Sequence, residues 1–395
     1  MSYLNEEGLN LLMRKVINNI GDITQLETDN KISVVTAINE LYNSVFTFKQ
    51  DINIWHTSNT TSGNYTALAV AKDGTVIAGG SNDNRGIKYS EDSGKTWQDS
   101  NVTSGKYCKA LVIAKDGTVI AGYNTDGIIY SEDSGKTWQD SNVTSGSYVT
   151  FAVTKDGTVI AGGANDNSII YSEDNGKTWQ TSNITSGNYC KALVIAKDGT
   201  VIAGSSSSGI KYSEDSGKTW QDSNVTSGSY VTFAVTKDGT VIAGGSNLTS
   251  SIDSGIRYSE DNGKTWQTSN ITRGNYTTLA VAKDGTIIAG STNSGIKYSE
   301  DSGKTWQDSD NAIGGCYIFV ITKDDIVIAG ADGVIRYSED NGKTWQDLNI
   351  ISGNNCKALV IAKDGTVIAG SSSGIIYCST IKIPRWETDN TTITP

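Results

Sequence analysis

Two hydrophobic periodicities divide the chain. Over residues 1–50 the apolar side chains return every three or four positions, and Leu9, Leu12, Met13, Val16, Ile17 and Ile20 fall on one face of a helix that Gly21 stops. A second helix is expected from about residue 30 to 46, with Thr28 or Asp29 as its cap and Val34, Val35, Ile38, Leu41, Tyr42 and Val45 as its stripe. Residues 46–50 read as a linker. From there on the period shortens to two: Leu68 and Val70 alternate with Ala67, Ala69 and Ala71, and such runs are separated by turns rich in Gly and Asp, the signature of strands.

The strand region is a repeat. The pattern Ser-x-Asp-x-Gly-x-x-Trp at 90–97 returns at 131–138, 172–179, 213–220, 259–266, 299–306 and 338–345, at intervals of 39 to 46 residues. Trp55, Trp97, Trp138, Trp179, Trp220, Trp266, Trp306, Trp345 and Trp386 bound eight intervals, each with one Lys-Asp-Gly turn or a close relative, beginning at Lys72, Lys115, Lys155, Lys197, Lys237, Lys283, Lys323 and Lys363. One unit reads as four antiparallel strands, at 65–71, 75–79, 86–90 and 96–99. Eight such units close into a ring, where a solenoid would leave two raw edges. There is one outer-strand Trp too many, because 51–56 has no blade before it and the eighth unit has no full Ser-x-Asp pattern. Either segment could complete the eighth blade; the N-terminal one is expected to help seal the ring, and Pro384 then suits an edge.

The repeated pattern resembles the Asp-box of sialidase-like (BNR) propellers over most of 51–386. The resemblance implies an all-β, eight-bladed β-propeller of four-stranded antiparallel blades. It also implies a scaffold role for Asp92, Asp133, Asp174, Asp215, Asp261, Asp301 and Asp340: Ser and Asp cap the hairpin backbone, Gly takes a positive φ, and Trp packs between blades. A second resemblance rests on Ile20-Gly21-Asp22-Ile23-Thr24-Gln25-Leu26, Lys31 and Val35-Thr36-Ala37-Ile38-Asn39-Glu40-Leu41, and is to the attachment segment of phage tail-fibre and baseplate proteins. It implies that residues 1–50 are a helical segment that trimerises and docks onto a tail, displaying residues 51–395 outward. From the residues alone, the two short apolar faces either pack on the propeller or associate into a helical bundle.

Composition narrows the partners. A net charge of -11 argues against nucleic acid or an anionic membrane. There is no run of 18 apolar residues for membrane insertion, and Glu6 and Glu7 stand where a secretory signal would be basic. Production in the host cytoplasm and release in a virion or tail-like particle without a signal peptide is the expected location. The five cysteines read as buried thiols, since Cys108, Cys190 and Cys356 recur at one repeat position on different blades.

Candidate ligand contacts come from the two ends of the blades. The Lys-Asp-Gly and Asp-box turns share one end and barely vary, whereas the loops of the other end differ: Asn82, Asp83 and Asn84; Tyr123 and its neighbours; Asn165, Asp166 and Asn167; and the longest loop, 245–254. Tyr65, Tyr107, Tyr148, Tyr189, Tyr230 and Tyr276 follow the Trp residues by ten positions at that end, with Cys316 and Asn355 in the last two units. Tyr faces beside Asn, Ser and Thr suit a sugar, although Tyr also starts strands for purely structural reasons. Units two and four share Tyr-Cys-Lys-Ala-Leu-Val-Ile, and units three and five share Tyr-Val-Thr-Phe-Ala-Val, so weak sites would repeat and gain strength by avidity.

Catalysis is not expected. The sialidase resemblance implies an arginine triad, a Tyr nucleophile with a Glu partner, and an Asp acid. Yet Arg257 and Arg336 take the strand position of Lys88, Lys211 and Lys297, Arg85 and Arg273 are loop residues, and Arg385 lies in the degenerate end. His56 is the only histidine and fills the slot of Gln98, so no Ser-His-Asp triad, metal site or cofactor is expected. An acid pair such as Asp83 with Asp126 or Asp166 is the remaining catalytic alternative. The expected function is a receptor-binding protein for a bacterial cell-surface glycan, with a sialidase-like glycosidase and a protein-interaction scaffold as the alternatives.

Overall fold

The computed structural model describes residues 55–80, 86–102, 107–164, 169–184, 189–246, 255–310, 314–348 and 355–379. The two helices and the tail-fibre-like segment of residues 1–50, together with Pro384, Arg385 and Trp386, lie outside them. So do Asn82, Asp83, Asn84, Arg85, Asn165, Asp166 and Asn167.

The described residues form eight four-stranded antiparallel sheets and contain no helix. After β1 (His56–Thr57), the first blade runs β2 (Tyr65–Val70), β3 (Val76–Gly80), β4 (Ile87–Ser90) and β5 (Gln98–Asp99), in that order from inner to outer. β1 belongs to the eighth blade, where His56 pairs with Tyr377 and Thr57 with Ile376 on the strand Gly374–Cys378. The N-terminal strand therefore closes the ring, and the His56 ring stacks on Tyr377 with centroids 5.3 Å apart.

Each strand's composition follows from what covers it. The second strand of every blade is buried along its whole length because blades press on both faces, so it is an unbroken run such as Val76–Gly80 rather than an alternation. The blades approach so closely that a Cβ on Gly79 would lie 2.4 Å from Sγ of Cys108 in the next blade, and one on Gly370 would lie 2.5 Å from the Tyr65 carbonyl across the ring closure. Inner strands carry large residues on one face and small ones on the other. Leu111 and Ile113 of blade two cluster with Ala67 and Ala71 of blade one, and Leu68 and Val70 cluster with Val360 and Ala362 of blade eight. At these interfaces large side chains pack against small ones, which lets the blades approach closely.

All eight inner strands also share a bulge at their second residue. In blade one Tyr65 faces Gly80 and Ala67 faces Gly79, leaving Thr66 as the extra residue.

Candidate functional site

At the Lys-Asp-Gly end the side chains of the Asp-box are consumed by the scaffold. Ser93 (φ 59°) and Gly94 (φ 86°) are successive left-handed residues that turn the first Asp-box hairpin. Ser90 Oγ donates to Asp92 Oδ1 (2.8 Å) and accepts from the Gly94 N–H (2.9 Å). Asp92 also accepts from the Thr96 N–H (2.8 Å) and hydroxyl (2.6 Å), and Trp97 Nε1 donates to the Gly94 carbonyl (2.9 Å). The same bonds recur around Asp133, Asp174, Asp215, Asp261, Asp301 and Asp340. Partial burial opposes ionisation of Asp92, but the Thr96 and Ser90 hydrogen bonds outweigh it and hold the carboxyl below its ordinary value. A carboxylate with both oxygens occupied and held ionised has no proton to give.

The hairpins are also clasped between blades. Asn59 Oδ1 accepts from the Trp97 N–H (2.8 Å) while its Nδ2 donates to the Trp97 carbonyl (3.1 Å). Asn101, Asn142 and Asn224 hold Trp138, Trp179 and Trp266 in the same way. Sequence reading missed this clasp; its signal was the Asn four residues after Trp55, Trp97, Trp138, Trp179, Trp220 and Trp266. Ion pairs add a second belt, with Lys136 on Glu91, Lys177 on Glu132 and Lys218 on Glu173 of the preceding box.

The opposite end changes the picture drawn from the tyrosines. Tyr65, Tyr148, Tyr230 and Tyr276 are buried as the first residue of their inner strands, and Tyr123 is buried at the end of a second strand. Their ring faces are enclosed in the packing, so they cannot stack on a ligand. Tyr107 and Tyr189 are 37% and 39% exposed, the large hydrophobics that stand out among the described residues. The cause is loop length. In blades two and four the strand begins at Cys108 and Cys190, eleven residues after the Trp instead of ten, so the cysteines enter the slot that Tyr65 fills and the tyrosines are pushed one position out. Cys316 and Cys356 fill that slot in blades seven and eight. Burial pushes the Cys108, Cys190 and Cys356 thiols up to about 12.

Shifting the register accordingly yields a different ring. The residues that precede the inner strands are Asn64, Tyr107, Ser147, Tyr189, Ser229, Asn275, Gly315 and Asn355. In six blades the carbonyl of this residue accepts a backbone N–H from the segment after the second strand, as from Asn124 to Tyr107 and from Ser206 to Tyr189 (both 3.0 Å). The position is thus held in one geometry at the mouth of the ring. Among the described residues, the side-chain oxygens of Asn64, Ser147 and Asn275 are buried there with no hydrogen-bond partner. Lys109, Lys191 and Lys357 occupy the bulge position in blades two, four and eight and are exposed.

Among the described residues, Arg257 and Arg336 do not converge. Arg257 Nε donates to the Tyr230 hydroxyl (2.6 Å), and Arg336 Nε pairs with Asp347 (2.7 Å), each within its own blade. No group of three or more His, Cys, Asp or Glu among the described residues is placed to hold a metal ion, and no described helix is long and apolar enough to cross a membrane.

Comparison with known proteins agrees with the geometry. The BNR/Asp-box repeat family model matches residues 170–181, 257–268 and 336–347. No curated protein matches the sequence. Among solved structures, the chain is similar to the computationally designed Ika8 protein, with TM-score 0.65, 16% identity, and coverage of 81% of this chain and 98% of that one. It is similar to the Dos1 propeller, with TM-score 0.65, 11% identity and coverage of 84% and 96%. Streptogramin B lyase gives TM-score 0.52 at 12% identity, with coverage of 82% and 96%. At these identities the likeness is one of fold. The chain carries BNR/Asp-box repeats on an eight-bladed β-propeller.

Proposed function

We propose that this protein is a receptor-binding protein of a phage or phage-tail-like particle, recognising a bacterial cell-surface carbohydrate through the loop-bearing end of the propeller. The observation that carries the reading is the ring of positions before the inner strands, at which Tyr107 and Tyr189 stand exposed where other blades hold Asn64, Ser147, Ser229, Asn275 and Asn355. Phenol faces cover sugar C–H groups, while amide and hydroxyl groups pair with sugar hydroxyls. Blades two and four repeat the same Tyr-Cys-Lys, so the ligand is itself repetitive, as a surface polysaccharide is. Residues 1–50 form the attachment and trimerisation segment, and multivalency converts weak sites into firm attachment.

Binding without turnover is favoured over glycoside hydrolysis. The Asp-box carboxylates are saturated by their own hairpins, and Arg257 and Arg336 are engaged on separate blades. A glycan array probed with the full chain tests the reading: binding to a bacterial surface polysaccharide is expected, with no release of reducing ends. Binding only to protein ligands, or hydrolysis of a bound glycan, would contradict it. A pull-down with residues 1–50 is expected to recover a tail or baseplate protein.

A further inference from the structure

The end opposite the proposed glycan face is acidic in sum, since each blade with an Asp-box sets a turn Asp, a Glu and an Asp-box Asp there against two lysines, yet one arc of its rim is lined by lysine alone. Every blade contributes the lysine of its Lys-Asp-Gly turn, placed where the inner strand ends at the axis of the ring. Six of them form a continuous arc in which each ammonium donates to the main-chain carbonyl of the next lysine: Lys363 to Lys72, Lys72 to Lys115, Lys115 to Lys155 (2.9 Å), Lys155 to Lys197 (2.8 Å), Lys197 to Lys237 (3.0 Å) and Lys237 to Lys283. The arc runs across the closure between blades eight and one.

The turn separates its two charges. While the lysine lies along the inner rim, the aspartate of the same turn faces outward to the next blade's Asp-box: Ser216 donates to Asp156 (2.7 Å) and Ser302 donates to Asp238 (2.6 Å). Those two carboxylates are spent on hairpin hydroxyls, and that of Asp284 accepts from Asn341 Nδ2 (2.7 Å), while the six ammonium groups of the arc meet neutral carbonyls. An ammonium has three donors, and a single carbonyl uses one. The turn of blade seven reads Lys-Asp-Asp, and its Asp325 pairs with Lys283 (3.2 Å), which ends the arc. Beside the arc lies a cavity of about 480 Å³, bounded by Lys155, Lys197 and Lys237 and by the strand ends Val153, Ile195 and Val235. Like charges brought together around a cavity repel one another, and a multivalent anion relieves that repulsion.

We propose that this lysine arc binds a small polyphosphate anion, its phosphoryl oxygens accepting from the spare ammonium donors of several blades at once. The site is independent of the glycan face and lies at the other end of the ring.

Titration calorimetry of the full chain with tripolyphosphate at fixed ionic strength tests it. Saturable binding is expected, weakened at least tenfold by K155Q/K197Q/K237Q, whose amides still cap the carbonyls. The control K136Q/K177Q/K218Q removes the same net charge from the outer belt at the same end and is expected to change the affinity less than twofold. Absence of saturable binding, or equal weakening by both triple variants, would overturn the proposal. If circular dichroism finds the first triple variant unfolded, K197Q alone replaces it, with at least a threefold loss expected and an unchanged affinity counting against the site.

Discussion

Asn142 illustrates how much of this fold rests on single polar side chains. Its amide makes two hydrogen bonds to the Trp179 backbone of the next blade, so Asn142→Ala leaves a donor and an acceptor bare at a blade interface. A loss of about 1–3 kcal/mol is expected in urea unfolding. The carboxylates set the acid limit. The Thr154 and Ser216 hydroxyls hold the Asp156 carboxyl far below its ordinary value, and Ser302 and then Thr236 do the same for Asp238. A carboxyl depressed on folding contributes its stability above the unfolded pKa and loses it as pH falls toward the folded one. The melting temperature is therefore expected to stay level from neutrality to about pH 5 and to fall below about pH 4, less steeply in Asp156→Asn. The five buried cysteines are expected to resist a thiol reagent at pH 8 and to react fully in denaturant. Trp and the Ser-x-Asp-x-Gly frame were legible from sequence because each does a job no other residue does. The Asn clasp was not, because its partner is backbone in another blade.

At the scale of the strand, one inserted residue decides whether a tyrosine is core or surface. Tyr148 starts its strand and is buried; Tyr107 stands one position before a strand that starts with Cys108. Tyr148→Ala is expected to destabilise by about 3–5 kcal/mol, as other buried aromatics do. Tyr107→Ala is expected to stay within about 0.5 kcal/mol. Chemical denaturation of both variants checks the contrast. The spacing from each Trp suggested six equivalent tyrosines; the column of cysteines at 108, 190, 316 and 356 carried the correction, because a small apolar thiol belongs in the slot that closes on the neighbouring blade's glycine.

Over the whole molecule, the ring closes through β1 on the strand Gly374–Cys378, through the Gly370 approach to Tyr65, and through the Lys363 bond to Lys72. Putting proline at both His56 and Thr57 removes the N–H donors of β1, and is expected to lower the melting temperature and expose an edge that associates, which light scattering would detect. Blade number was readable because each blade repeats the same punctuation, whereas the closing strand was not fixed by it, since either terminal segment could supply the outer strand of the eighth blade. Which loop residues face a ligand was not, because their position depends on the bulge and loop length of each blade.

The central claim is that the loop-bearing mouth, and Tyr107 and Tyr189 within it, meets a carbohydrate. The most direct measurement is binding of the full chain to protease-treated bacterial cell-wall polysaccharide, beside the Y107A/Y189A variant. The account predicts that the parent protein binds and that the variant, with an unchanged melting temperature, binds at least tenfold more weakly. Equal binding by both proteins, or loss of binding once protein is stripped from the wall, would contradict it.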